Sequence, residues 1–181
     1  MIKRCLFLTL AFSIVAACSE PLFPPNALNG ITDDAIGIFD PEADFYLKGS
    51  VTRVGGRMIM IKRQDGFFIV AEELPIQKDS RQGPVENVRS TGWFAFYYEG
   101  DIDELGVQSG NKFILIGNAQ GTQRVTVGGV ARHMPFLVAR CVHVWKTGRA
   151  AIADFPNLPG GYYPLSQQTY CLSSNNHARP S

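Results

Sequence analysis

Residues 58–71 read MIMIKRQDGFFIVA, which is two apolar runs separated by a short polar segment. Asp65-Gly66 stands between the two runs. An Asp-Gly pair in this position is a strong signal for a β-hairpin, because glycine accepts the positive φ angle that a tight turn requires. The sequence therefore predicts two antiparallel strands here, the second of which ends at residues 72–76, EELPI.

Upstream of this hairpin the chain also has the period of a strand. Phe45, Leu47 and Val51 alternate with polar residues, which is typical of a strand with one buried face. Gly55-Gly56 follows, and a glycine pair between apolar runs predicts a turn at that point. The folded domain is therefore expected to begin near Phe45.

Downstream, short apolar runs continue at regular intervals. Further strands are predicted at 93–98, 113–117, 124–127 and 135–145, with loops at 77–90 and 99–110 and glycines between the later runs. Several short strands separated by turn residues indicate an all-β fold, either a sandwich or a small β-barrel.

The N-terminus has the three parts of a secretory leader. Lys3-Arg4 is a positive region, residues 6–15 are apolar, and Ala16-Ala17 are small residues that suit a cleavage site. Ten apolar residues are too few to cross a bilayer, which takes roughly 20 residues as a helix. We interpret residues 1–17 as a signal peptide, and Cys18, the next residue, as a candidate for lipidation. The alternative is an ordinary leader followed by a chance cysteine.

The mature chain divides into three predicted parts. Residues 18–44 contain four prolines and are interpreted as a lipid-anchored tether and lead-in, because no long helix forms across prolines. Residues 45–149 form the β domain, and residues 150–181, rich in Pro, Gly, Tyr and Asn, form a tail that wraps it. Without the leader the chain has 15 basic and 16 acidic side chains. This near-neutral balance predicts no electrostatic field that would attract nucleic acid or anionic lipid.

Two cysteines remain after Cys5 leaves with the leader and Cys18 takes lipid. Cys141 and Cys171 are an even pair in an oxidising compartment, which favours a disulfide over two unpaired buried thiols. The bond would close a loop of 31 residues and contribute about 3–4 kcal/mol in the chain-entropy treatment.

No motif predicts catalysis, a metal or a cofactor. The histidines at 133, 143 and 177 lack zinc-site spacing, and His143, which alternates with Cys141 and Trp145, is interpreted as a core histidine. The acidic loop from Asp101 departs from the EF-hand pattern, because its twelfth position is Lys112. No nucleophile motif of a hydrolase is present. A hydrolase with scattered catalytic residues would need a nucleophile and a base brought together in a cleft.

Two surfaces are candidates for weak binding. The aromatic run from Trp93 through Tyr97 and Tyr98 could stack a glycan or a peptide on one face of the domain, although such a run is more often core. A basic group around the first hairpin could contact lipid head groups or an acidic glycan, or could simply protect a strand edge with charge. It consists of Arg53, Arg57, Lys62 and Arg63.

Several of these features, in this order, resemble the Slp family, the starvation-inducible outer-membrane lipoproteins of Gram-negative bacteria. The resemblance runs over Cys18 and about residues 45–145. It rests on Gly55-Gly56-Arg57, on residues 73–76, on the strand 93–98 with the loop around Ile102-Asp103, on the glycine-punctuated segment 110–121, and on Pro135-Phe136-Leu137 with Trp145. The chain departs from the family at Asp103-Glu104, at Met134 and in its pair of cysteines.

The resemblance implies a small OB-like β-barrel with an extended N-terminal tether and a loop-rich C-terminal tail. It also implies a non-enzymatic lipoprotein of the outer membrane, acylated on Cys18, facing the periplasm and supporting envelope integrity under starvation or stress. Ser19 after the cysteine fits an outer-membrane address. The alternative function is a periplasmic module that binds a glycan or a peptide.

Overall fold

The computed structural model describes residues 21–34, 49–76, 83–86, 88–90, 92–155 and 165–173. Over these residues the chain is all-β, as predicted, with two short 3-10 helices. The elements in chain order are η1 (Pro25–Leu28), β1 (Ile31–Asp34), β2 (Val51–Arg63), β3 (Phe67–Glu73), β4 (Trp93–Tyr98), β5 (Lys112–Val127), β6 (Val130–Trp145), η2 (Ile152–Asp154) and β7 (Gln167–Cys171). In this part of the chain, no helix has the length and hydropathy needed to cross a membrane.

Five strands join into a ring in the order β2-β3-β4-β6-β5, and β5 pairs with β2 again to close it. Every neighbouring pair in the ring is antiparallel except β4 and β6, which run parallel and place Ala95 opposite Phe136. Strand β1 lies parallel to β2 outside the ring, and β7 adds to β6. A ring of five strands with one such crossover is an OB-like arrangement, as the resemblance implied.

The predicted hairpin is present, with Gln64–Gly66 as the turn between β2 and β3. The turn predicted at Gly55-Gly56 is wrong, because both glycines lie inside β2. A Cβ on Gly56 would stand 2.7 Å from the Glu72 carbonyl oxygen and 2.9 Å from the Phe113 ring. The glycine therefore allows the close approach of a neighbouring strand and an aromatic ring, and makes no turn.

The two strands predicted at 113–117 and 124–127 are one strand, β5, and its partner β6 is longer than predicted. Register shifts near Gly117 and between Ala119 and Thr122 bend the pair. Beyond this bend the hairpin continues as an arm, residues 120–135, which turns at Gly128-Gly129 with φ angles of 58° and 82°. These positive angles suit the tight two-residue turn of a hairpin.

The interior of the ring is one apolar core of alternating residues from all five strands. Phe94, Phe96 and Phe113 stack against one another at its centre, with ring centroids 5.1–6.1 Å apart. The alternation sends Phe94, Phe96 and Tyr98 inward and leaves Trp93 and Tyr97 on the other face of β4. The strand is therefore core on one side, which is the common use of such an aromatic run.

Apolar clusters also cover two outer walls of the ring. On one wall, Val125 and Met134 of the arm pack over Val70 of β3 and Ala95 of β4. On the other, the segments before β2 and after β6 pack over Ile114 and Ile116 of β5. Chain segments distant in sequence thus shield both outer faces from water.

The segment predicted as a tether contains docked structure. Phe23 is only 4% exposed, and Ile31–Asp34 is a paired strand. The predicted boundary at residue 45 falls in residues 35–48, outside the described part. In the tail, η2 and β7 are regular elements, and β7 extends the sheet. The predicted signal peptide, residues 1–17, and Cys18 lie outside the described residues.

Candidate functional site

The chain segment that follows Cys18 is the first candidate site, because it connects the predicted lipid anchor to the ring. The structure describes it from Pro21 onward. The Phe23 side chain packs on the outer wall among Ile114, Ile116 and Trp145. Burying a phenylalanine side chain contributes about 1.5–3 kcal/mol, so this contact holds the segment firmly.

Polar contacts fix the same segment to β7. The Thr169 hydroxyl donates a hydrogen bond of 2.7 Å to the Leu22 carbonyl oxygen. His143 Nδ1 lies 2.6 Å from the same hydroxyl oxygen, and its ring meets Phe23 edge-on at 6.3 Å. Burial lowers the pKa of His143 to about 4, and a hydrogen bond to Gln167 opposes this shift. His143 is thus a neutral, hydrogen-bonded core residue, as predicted.

Cys141 and Cys171 face each other in register on β6 and β7, with their Cα atoms 4.1 Å apart, and a disulfide joins them. The bond lies in the same outer cluster as Phe23. It therefore ties β7 to the ring, and with it the anchor segment, the residues from Pro21 to Leu28 that β7 binds through Thr169.

A groove of about 320 Å³ opens beside η1. Its walls are Pro24, Asn26 and Ala27 on one side, and the disulfide with Leu172 and Ser173 on the other. Arg140, partly exposed, also lines it. The groove therefore combines apolar walls with a single cation, a few residues from the predicted anchor.

The three aromatic residues predicted as weak ligand contacts are not on one face. Tyr98 is 2% exposed inside the core, whereas Trp93 and Tyr97 are half-buried on the outer side of β4. Burial, reinforced by the charge of Asp101, raises the pKa of Tyr98 to about 12. Tyr98 is therefore not available to a ligand in this structure.

Trp93 lines a second groove of about 420 Å³ together with Gly92, Arg132, His133 and Met134. The Arg132 guanidinium lies over the Trp93 ring, 5.1 Å from its centroid. Such stacking holds the arginine in place and leaves its in-plane N–H groups able to bind an anion. No sequence signal pointed to Arg132, because nothing local shows that the arm folds back onto β4.

The acidic loop predicted at 99–110 is held to the ring by Asp103. Asp103 accepts hydrogen bonds from Lys146 Nζ at 2.7 Å and from the Tyr170 hydroxyl. These two bonds lower the pKa of Asp103 to about 2, while burial and the bond to Asp103 raise that of Tyr170. In the part of the chain that is described, no group of three or more acidic, histidine or cysteine residues is arranged to hold a metal.

A buried ion pair anchors the other side of this loop. Lys112 is 2% exposed, and its Nζ lies 3.0 Å from Glu86 Oε1 and 2.8 Å from the Ala150 carbonyl oxygen. Neighbouring Asn111 donates to the carbonyl oxygens of Leu105 and Gly106 and accepts from the Gly148 N–H. These charges and amides thus satisfy the backbone of two loops.

Glu73 differs from the other buried polar residues. It lies at the end of β3 opposite Gly56, and is 4% exposed. Among the described residues its Oε2 has no hydrogen-bond partner. Burial raises the pKa of Glu73 to about 7, because the charged carboxylate loses its hydration. No sequence signal distinguishes it from Glu72, its half-buried neighbour, which forms an ion pair with Arg57.

Comparison with known proteins gives one family. The model of the "Outer membrane lipoprotein Slp family" matches residues 15–170 of this chain, from the residues before Cys18 to the last residue but one of β7. The comparison with curated proteins gave no match. Among solved structures, a mitochondrial single-stranded DNA-binding protein of S. cerevisiae, Rim1, is 9% identical, and the match covers 54% of this chain and 96% of that one. Its TM-score of 0.32 is too low to support any conclusion about fold or function.

Proposed function

We propose that this chain, which belongs to the outer membrane lipoprotein Slp family, is cut before Cys18 and acylated on that cysteine. In this proposal it faces the periplasm and supports envelope integrity under starvation or stress without catalysing a reaction. The observation that carries the proposal is the extent of the family match, which begins at residue 15 and so includes Cys18 together with the whole ring.

The way the chain uses its polar residues supports a non-enzymatic role. Lys112, Asn111 and Asp103 each bind loop backbone or a partner of opposite charge within the fold. His143, the buried histidine of β6, contacts Thr169 and Gln167. These residues hold the loops and the anchor segment in place, which is what an envelope protein with a structural role requires.

The disulfide supports a location outside the cytoplasm. Disulfides form and persist in oxidising compartments such as the bacterial periplasm and are rare in the cytosol. The bond between Cys141 and Cys171 therefore fits a domain that is exported before it folds.

The test is the intact mass of the protein extracted from membranes of the native host, together with its distribution on a density gradient. We expect the mass of residues 18–181 plus diacylglyceryl and N-acyl groups, in the outer-membrane fraction. The Cys18→Ala variant should lose the acyl mass and leave that fraction. An unmodified Cys18 in the wild-type protein would contradict the proposal.

The stress role needs a separate test. A strain lacking the protein should lose viability in stationary phase or become permeable to a dye that intact envelopes exclude. Wild-type protein should restore the strain, and the Cys18→Ala variant should not, because it is released from the membrane. Equal survival and permeability with and without the protein would contradict this part of the proposal.

The second candidate function is ligand binding, and the groove at Trp93 and Arg132 favours it. An aromatic ring beside a held guanidinium suits an acidic glycan or an acidic peptide. The sealed positions of Phe94, Phe96 and Tyr98 oppose a broad aromatic platform. The test is tryptophan fluorescence during titration with an acidic oligosaccharide or peptide. A response lost in Trp93→Phe supports binding, and no response at millimolar ligand rejects it.

A further inference from the structure

The distance between the predicted anchor and the folded ring is short. Only Ser19 and Glu20 separate Cys18 from Pro21, the first described residue. An extended chain advances at most about 3.6 Å per residue, so the Cα atoms of Cys18 and Pro21 are within roughly 11 Å of each other. Since Phe23 is buried, the chain cannot lengthen this connection without breaking that contact.

A lipid on Cys18 would therefore bring one particular wall of the ring to the membrane. The acyl chains of a lipoprotein enter the hydrocarbon core, which places the cysteine at the head-group level. The head-group region on each side of the core is several ångströms thick. An 11 Å connection, roughly, leaves no room for a free spacer between that region and η1.

The surface beside η1 has the chemistry to meet a phospholipid. Pro24, Ala27 and Leu172 give the groove there apolar walls, and Arg140 also lines it. Among the described residues, no aspartate or glutamate forms an ion pair with Arg140. A guanidinium with free donors binds a phosphate through two parallel hydrogen bonds, and the apolar walls suit the glycerol and upper acyl carbons.

We propose that the wall carrying η1 and the end of β7 rests on the phospholipid head groups of the membrane that holds Cys18, with Arg140 as the contact to a lipid phosphate. This inference rests on the proposed lipidation and adds an orientation to it. The opposite wall, formed by β3, β4 and the arm, faces away from the membrane, because β3 and β4 lie across the ring from β5.

The orientation predicts which residues touch lipid. Asn26 on η1 is exposed beside the groove, and Val130 at the tip of the arm is 54% exposed on the far wall. Each is replaced in turn by a photoreactive phenylalanine in the full-length, acylated protein. The protein is reconstituted in vesicles of phosphatidylethanolamine and phosphatidylglycerol, irradiated, and analysed by mass spectrometry for cross-linked phospholipid.

We expect the label at position 26 to cross-link phospholipid at least several-fold more than the label at 130. Arg140→Ala should lower the yield at position 26 by about fivefold, the value of one arginine near an anionic surface. Arg124→Ala, which removes an exposed arginine from the arm, is the matched control and should change nothing. Equal yields at 26 and 130, or a higher yield at 130, would overturn the orientation. An unchanged yield in Arg140→Ala would overturn the phosphate contact.

The same sample separates this inference from the proposed function. Its intact mass reports whether Cys18 is acylated. A chain without acyl groups refutes the proposed lipidation, whereas an acylated chain that does not cross-link lipid through position 26 refutes only the orientation.

Discussion

The Thr169 hydroxyl donates a hydrogen bond of 2.7 Å to the carbonyl oxygen of Leu22, joining residues that are 147 positions apart in the chain. The two ends of the described chain therefore meet on one wall of the ring. Phe23, His143 and the disulfide lie in the same place. The segment next to the predicted lipid anchor is thus part of the folded domain, and its stability is linked to that of β7.

Removing the Phe23 side chain should strongly destabilise the domain. Phe23→Ala removes a buried aromatic ring and leaves a cavity over Ile114 and Ile116, so we expect a loss of about 3–5 kcal/mol in the free energy of unfolding. Urea denaturation followed by circular dichroism measures it. Leu28→Ala on the same segment is the control, because Leu28 is 38% exposed, and it should change stability by at most about 0.5 kcal/mol. Equal effects of the two substitutions would show that Phe23 is not docked.

Opening the disulfide should have a comparable effect. The bond closes a loop with a sequence separation of 30, and its removal in Cys141→Ala/Cys171→Ala should lower the free energy of unfolding by about 3–4 kcal/mol. Urea titrations with and without dithiothreitol compare the double variant with the chemically reduced wild-type protein. Reductant should lower the midpoint of the wild-type protein and leave that of the double variant unchanged. A wild-type midpoint that does not respond to reductant would argue against the bond.

The free energy of unfolding should fall more when one partner of the Lys112–Glu86 pair loses its charge than when both do. Lys112→Met leaves the Glu86 carboxylate poorly solvated and without its cation, and we expect a loss of about 3–5 kcal/mol. Lys112→Met/Glu86→Gln removes both charges and should recover a large part of that loss. Denaturant unfolding of the two single variants and the double variant completes the cycle.

Arg63→Met serves as the comparison for this cycle. Its partner Asp101 is 3.9 Å away, and both side chains are largely exposed, so the change should stay within about 0.5 kcal/mol. If the double variant of the buried pair is no more stable than Lys112→Met alone, the partners are not coupled.

Glu73 should make stability depend on pH. The pKa of Glu73 is about 7 in the folded protein, against 4.5 for a freely solvated glutamate. Between these two pH values the folded state therefore holds a proton that the unfolded state releases. The stabilising effect of that proton is fully present below pH 4.5 and is lost as the pH rises through 7. The unfolding free energy of Glu73→Gln, measured relative to the wild type, should therefore rise by roughly 2–3 kcal/mol from pH 4 to pH 8.

The measurement is the difference in unfolding free energy between Glu73→Gln and the wild type across that range. A difference is needed, because His143 acts in the opposite direction. Its pKa is lowered to about 4, so its contribution to stability is lost as the pH falls from 6.5 through 4. A flat difference for Glu73→Gln would show that its carboxylate finds solvent or a partner.

Local sequence patterns determined the fold class and several elements. Asp65-Gly66 between two apolar runs specified the β2–β3 hairpin, and the aromatic run Trp93–Tyr98 is strand β4 with the predicted bounds. The order of motifs also led to the family. These features depend on residues close together in the chain, where backbone preference and a period of two are sufficient.

Only the tertiary structure decided what covers the ring. It placed Gly55-Gly56 inside β2, where a neighbouring strand and Phe113 occupy the space that a side chain on Gly56 would need. It folded the arm onto β4, beside Trp93, and buried Phe23 against strands about 90 to 120 positions further on. It also left Glu73 buried without a partner for Oε2 among the described residues, although Glu72 beside it is paired. Periodicity shows that a strand has an apolar and a polar face, but which distant segment covers a face depends on how the whole sheet closes.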